Sequence, residues 1–169
     1  MHRRQRIAEG SNRKIFYLCA LLITVFTIQS NFAGRIDWFP DLILLVVVFT
    51  AVFSGISGGL IFGLIAGILR GLLSVNTFPV DVIIFPILGA TAAILSKMFY
   101  RQSPVTHMLV AGISICLLII AHTLYFAAFF GNSPGLNAIL IGSWRVIIST
   151  ILISPLVFQI IHKLWTIER

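Results

Sequence analysis

The chain has 169 residues, of which 59% are hydrophobic and only 10% charged, with a mean hydropathy of +1.05. Soluble domains carry about 25% charged residues, so water is excluded as the solvent for most of this surface and an integral membrane protein is predicted. The formal net charge of +7 does not point to nucleic acid, because no basic face interleaved with aromatics is present to stack bases.

Residues 1–14 form a basic tail holding Arg3, Arg4, Arg6, Arg13 and Lys14. A short basic segment against an apolar run marks a cytoplasmic flank drawn to anionic lipid. Residues 15–165 are read as one all-α membrane domain of six helices, since a crossing takes about 20 residues, with a range of about 17–25. The first span covers about 15–32 and is read as uncleaved. The polar knot "NFAGRIDWFPD" follows, and the second span runs from about 40 to 53, extendable through Trp38. "SGISGG" makes a tight turn before the third span, which continues to about 73. The fourth covers about 80–100 and contains Pro86; the fifth covers about 108–130; the sixth covers about 138–164 and contains Pro155. Residues 166–169 form a short tail. The second and third spans could instead be one long broken helix, leaving five; six is preferred because "SGISGG" is a turn cluster and the joined run greatly exceeds one bilayer.

Basic residues set the expected orientation. With the N-terminus inside, the tails, the "SGISGG" turn and the loop after the fourth span hold Arg3, Arg4, Arg6, Arg13, Lys14, Lys97, Arg101, Lys163 and Arg169, nine of the twelve. Arg35 falls outside, and Arg70 and Arg145 fall within spans. This bias predicts that both termini are cytoplasmic.

In that topology the embedded polar groups share a depth. Asp41 opens the second span, Arg70 lies near the outer end of the third, and Asp81 near the start of the fourth. Arg145 is eight residues beyond Asn137, about 12 Å along a helix, and His122 lies at similar depth in the fifth. A lone arginine there costs about 2.5–3.5 kcal/mol even on the lenient insertion scale. An outer-leaflet polar cluster is therefore expected, in which Arg70 and Arg145 face Asp41 and Asp81. Such a cluster either holds helices in register or lines a ligand or ion pocket. Against the pocket stand the lack of a third carboxylate and of any acid at mid-bilayer.

Glycine recurs at Gly55, Gly59, Gly63, Gly67 and Gly71 in "SGISGGLIFGLIAGILRGLLS". In lipid, removing side chains lets helices approach closely and gain dispersion contacts. Gly59, Gly63, Gly67 and Gly71 make three overlapping GxxxG units, a groove that receives either another helix of this chain or a helix of a partner protein.

Catalytic and metal chemistry find little support. No nucleophile with a base beside it, HExxH, Walker loop or GxGxxG is present. Cys19 and Cys116 sit in apolar runs outside any CxxC pair, and no cofactor or metal is expected. His2, His107 and His162 read as solvated histidines flanking spans. Tyr17, Tyr100, Trp38 and Trp165 fall where an interfacial aromatic belt belongs.

The chain resembles the rod shape-determining MreD family of bacterial inner-membrane proteins. The likeness rests on its length, its basic N-terminus, "PDLILLVVVFTAVFSG", "GGLIFGLIAGILRGLLS" and "RVIISTILISPLVFQIIHKLW". It departs where the family's third span carries an acid: Gly71 stands there, with Arg70 beside it, and Phe78-Pro79 replaces the usual Leu-Gly. The resemblance implies a non-enzymatic scaffold subunit of the cell-elongation and peptidoglycan-synthesis machinery. Its partners would be the bitopic protein MreC and, through it, MreB filaments, RodA and a penicillin-binding protein. The fold is also similar to the vitamin-binding S components of energy-coupling-factor transporters, which implies the alternative of a small-molecule binder. Those proteins dock through an Ala-xxx-Ala face on their first span; "IFYLCALLITVF" has Ala20 without a second alanine four residues away, which favours the scaffold.

Overall fold

The computed structural model describes residues 2–32, 35, 38–74, 76–98, 104–130 and 136–166, with side chains described for 17–32, 35, 38–74, 76–98, 105–129, 143–163 and 166. These form five helices: α1 (His2–Phe32), α2 (Leu42–Gly71), α3 (Phe78–Met98), α4 (Pro104–Phe130) and α5 (Leu136–Thr166). Among the described residues, four stretches are long and apolar enough to cross a membrane, Leu42–Gly71, Phe78–Met98, Val105–Phe129 and Ser143–Lys163; Tyr17–Phe32 is a shorter apolar stretch. Residues 2–14 continue into the first apolar run as one helix.

The expected six helices appear as five elements because "SGISGG" does not open into a loop. One residue, Gly55, breaks the helical backbone of α2, at φ 79° and ψ −170°. That region of backbone space is essentially restricted to glycine. Its consequence is a reversal. A Cβ built on Gly59 would lie 2.8 Å from the Ala51 Cβ, whereas eight residues of straight helix span about 12 Å. Asp41 and Arg70, at the two ends of α2, are in contact at 2.5 Å. The element is thus a hairpin with a first arm before Gly55 and a second arm after it. Ser54 Oγ donates to the Thr50 carbonyl at 2.7 Å, closing the first arm, and bare Gly58 leaves room for the Ser54 side chain.

The first arm is the axis of the protein. Every residue from Ile43 to Val52 is buried, as expected of a helix that is apolar all round. The second arm buries only its small face, Gly59, Gly63, Ala66, Gly67 and Gly71. Facing it, α3 buries Asp81, Phe85, Leu88, Gly89, Ala92, Ala93 and Ser96, the three-and-four spacing of one helical stripe. α4 contributes Val110, Ala111, Ser114, Ile115 and Leu118 to the core, and α5 contributes Thr150, Ser154 and Ile161. Pro86 and Pro155 lie inside α3 and α5. α1 is peripheral: between Tyr17 and Phe32 it buries only Leu18, Leu22 and Gln29.

At the end of the bundle holding the Gly55 turn, Phe49, Phe53, His107, Phe158 and His162 pack together. The His107 ring stacks on Phe158 with centroids 3.4 Å apart and meets the edge of Phe49 at 5.7 Å. The expectation of a solvated His107 is corrected: the residue is 5% exposed. α4 starts at Pro104, so His107 is already inside the helix; proline suits the first helical position, where its missing N–H is not needed.

Candidate functional site

The end of the bundle opposite the Gly55 turn gathers the buried charges. Asp41 is the N-cap of α2, and its Oδ1 accepts from the Leu44 N–H at 3.1 Å. Capping satisfies a backbone donor that the first turn leaves open, and a negative charge suits the positive end of the helix dipole. The other oxygen, Oδ2, lies 2.5 Å from Arg70 Nη1 at the far end of the same hairpin. Gln29 reaches in from α1, donating to Asp41 Oδ1 at 3.3 Å and accepting from the Ile43 N–H at 3.0 Å. The Asp41 N–H donates to Thr150 Oγ1 of α5 at 3.0 Å. One capping residue thereby ties α1, both arms of α2 and α5.

Asp81 does the same for the remaining elements. It sits in the first turn of α3, where its Oδ2 accepts from Thr77 Oγ1 at 2.9 Å. Its Oδ1 lies 2.8 Å from His122 Nε2 of α4 and 3.7 Å from Arg70 Nε. Arg70 therefore stands between the two acids, with its guanidinium 5.5 Å above the Phe85 ring. Asp41 is 4% exposed, Asp81 1% and the Arg70 side chain 21%. Charges this far from solvent are tolerated when paired and hydrogen-bonded; removing one partner of such a pair costs about 3–5 kcal/mol.

Four of the five expected cluster residues, Asp41, Arg70, Asp81 and His122, are thus joined. Arg145 is not. Its guanidinium lies 5.8 Å from the Trp38 ring and 5.7 Å from the Trp144 ring, which meet edge to face at 5.2 Å. The reason is depth. Thr150 marks the level of Asp41 on α5, and Arg145 is five residues away, about 7.5 Å along the helix, while Arg70 already occupies the acids. Gln29, Thr77 and Thr150 complete the cluster without having been expected. Gln29 was the legible one, an amide inside an apolar run; the two threonines carry no such mark.

The glycine face meets α3 backbone to backbone. A Cβ at Gly63 would lie 2.5 Å from the Phe85 carbonyl oxygen and 2.7 Å from Pro86 Cα. One at Gly67 would lie 2.5 Å from the Asp81 oxygen, one at Gly59 2.6 Å from the Gly89 oxygen, and one at Gly71 2.6 Å from the Phe78 ring. Gly89 returns the favour, since a side chain there would run into the Gly59 backbone. Of the two occupants left open for this groove, the structure supplies the first. α3 of the same chain lies in it, packed against Gly59, Gly63, Gly67 and Gly71.

The glycine seam and the ion cluster meet at Asp81, whose carbonyl abuts Gly67 and whose carboxylate meets Arg70. Small residues bring the second arm and α3 together, and the charges fix how far one slides along the other. Among the described residues, no group of three or more His, Cys, Asp or Glu side chains could hold a metal ion. This is an all-α membrane protein whose described buried acids are paired with a cation and an imidazole of its own helices. The chain belongs to the rod shape-determining protein MreD family, whose sequence model matches residues 9–166. No curated protein and no solved structure matches it. Its class of function is therefore the determination of rod shape.

Proposed function

We propose that the chain is a non-enzymatic scaffold subunit of the bacterial elongation machinery, held in the inner (plasma) membrane by six crossings with both termini cytoplasmic. The family match over residues 9–166 carries this reading. The hairpin supports the six crossings: each arm of α2 runs between the end with Asp41 and Arg70 and the end with Gly55, so the element crosses twice. With six crossings, the excess of lysine and arginine puts both termini, the Gly55 turn, Lys97 and Lys163 on the cytoplasmic side, and the ion cluster toward the periplasm.

The partner is an MreC-like bitopic protein, and through it MreB filaments, RodA and a penicillin-binding protein. Because α3 fills the glycine groove, this partner docks elsewhere. The sparsely covered α1, with Tyr17, Ile23 and Phe32 exposed, is the face we assign to it. Purifying the tagged chain from native membranes tests the reading. Co-purification of the bitopic elongation protein, lost when Ile23→Trp and Phe32→Ala are combined, supports it; co-purification unaffected by those changes removes α1 as the docking face, and the absence of any elongation protein removes the scaffold role.

A further inference from the structure

We propose that α1 is a strap on the bundle, latched by Gln29, and that it swings open as a unit while α2 to α5 stay packed.

Lipid tails are as apolar as leucine, so apolar contacts between helices are exchanged for lipid contacts at little loss, whereas a buried hydrogen bond finds no replacement there. α1 leans mainly on the replaceable kind. Between Tyr17 and Phe32 it buries Leu18, Leu22 and Gln29, whereas the first arm of α2 buries every residue from Ile43 to Val52. Leu22 belongs to the same apolar core as that arm, with Leu21, Val25 and Phe26 packed partly against it. Polar groups on the outer face turn back on α1 itself. Thr24 Oγ1 donates to the Ala20 carbonyl at 2.8 Å, Thr27 Oγ1 to the Ile23 carbonyl at 2.9 Å and Asn31 Nδ2 to the Thr27 carbonyl at 2.7 Å. Sparse burial of this kind marks an element that opens before its neighbours do.

Gln29 is different. The start of a helix leaves four backbone N–H groups without helical partners, and in α2 each of them finds one. Leu42 donates to the Pro40 carbonyl at 3.0 Å and Leu44 to Asp41 Oδ1 at 3.1 Å, both locally. Asp41 donates to Thr150 Oγ1 of α5 at 3.0 Å. Ile43 donates to Gln29 Oε1 at 3.0 Å, so this donor is capped from α1. The Gln29 amide donates in turn to Asp41 Oδ1 at 3.3 Å. Ile43 is 0% exposed and Gln29 5%. Opening the strap therefore strips a buried donor of its partner, and that loss is what holds the closed position. Asp41 also meets Arg70, so the latch and the ion cluster share a residue. A partner seated on the outer face of α1 would be joined to the cluster through it, but the strap does not rest on that docking.

Spin labels read the opening. The full chain in lipid nanodiscs, carrying Cys19→Ser and Cys116→Ser, is labelled at the exposed pair Thr24→Cys and Ile87→Cys. Ile87→Cys with Leu156→Cys, also exposed, is the control pair across α3 and α5. Double electron–electron resonance should give one dominant distance for each pair. Gln29→Leu should cost the α1–α3 pair that single distance, adding a longer population, and leave the α3–α5 pair as it was. Gln29→Asn, a methylene too short to span both partners, serves if the leucine variant does not insert. Thr150→Val removes the neighbouring cap from α5 and should leave the α1–α3 distance in place. An α1–α3 distance unmoved by the Gln29 variants, displaced as far by Thr150→Val, or lost together with the α3–α5 distance overturns the proposal. The measurement uses the chain alone, so its failure leaves the scaffold role untouched, and failure of that role leaves the strap untouched.

Discussion

Replacing Gly63 with alanine adds a single methyl group where the second arm of α2 meets the α3 backbone. That methyl would lie 2.5 Å from the Phe85 oxygen and 2.7 Å from Pro86 Cα. Both are backbone atoms, so neither can swing aside as a side chain would. Comfortable separation is about 3.5–4 Å, which forces the second arm of α2 and α3 apart by about 1 Å. A gap of about 0.5–1 Å forfeits a quarter to a half of the attraction between facing atoms, and overpacking of this kind costs about 1–3 kcal/mol. Alanine's better helix propensity returns about 1 kcal/mol at most. The expected net loss is about 1–2 kcal/mol, and Gly63→Leu should exceed it. Reversible unfolding in mixed micelles, followed by circular dichroism, measures the change. Gly112→Ala is the control, since its methyl would meet only the tip of Ile151 at 3.3 Å, and it should stay within about 0.5 kcal/mol of the native chain. A Gly63→Ala protein as stable as the native one would refute the reasoning.

Three further outcomes follow from the geometry. Gly55→Ala should cost about 1–3 kcal/mol in the same unfolding assay through backbone strain alone, because nothing lies within 4 Å of the added methyl; an unchanged midpoint would show that the turn does not need glycine. Arg70→Met should cost about 3–5 kcal/mol, and adding Asp41→Asn and Asp81→Asn should recover more than half of it, whereas simple addition of the losses would deny the pairing. Arg145→Met should couple to Trp38→Leu by about 0.5–2 kcal/mol in a double-mutant cycle, while combining with Asp41→Asn should be additive within about 0.5 kcal/mol; the reverse pattern would return Arg145 to the acids.

Composition and apolar run length were enough to read an all-α membrane protein, because lipid permits few ways of satisfying a backbone. The cost of embedded charge made Asp41, Arg70, Asp81 and His122 legible as a group, since each needs a partner and hairpin-like punctuation put them at one depth. Arg145 was less legible, because a position about 7.5 Å along α5 from the level of Thr150 cannot be read from a uniformly apolar run, nor can the nearby Trp38 and Trp144 rings. The glycine spacing announced a close approach without naming the neighbour; that depends on α3 presenting Gly89 and the bare backbone at Phe85 and Pro86. The Gly55 turn was visible as a cluster of small residues, but nothing in "SGISGG" says that a single residue would accomplish the reversal. His107 was read as solvated because a span boundary was drawn one residue after it, and helix ends are the least legible feature of a uniformly apolar chain.

The doubling back of α2 is what the crossings, the seam and the ion cluster all rest on, and cysteine accessibility in whole cells tests it. Arg35→Cys, Ser57→Cys and Asn76→Cys, all exposed positions, are each introduced after Cys19→Ser and Cys116→Ser and treated with a membrane-impermeant maleimide. The hairpin predicts that residues 35 and 76 react from the same, periplasmic side and that residue 57 reacts only after the membrane is opened. Labelling of 35 and 76 from opposite sides would mean that α2 crosses once, and the account would be contradicted.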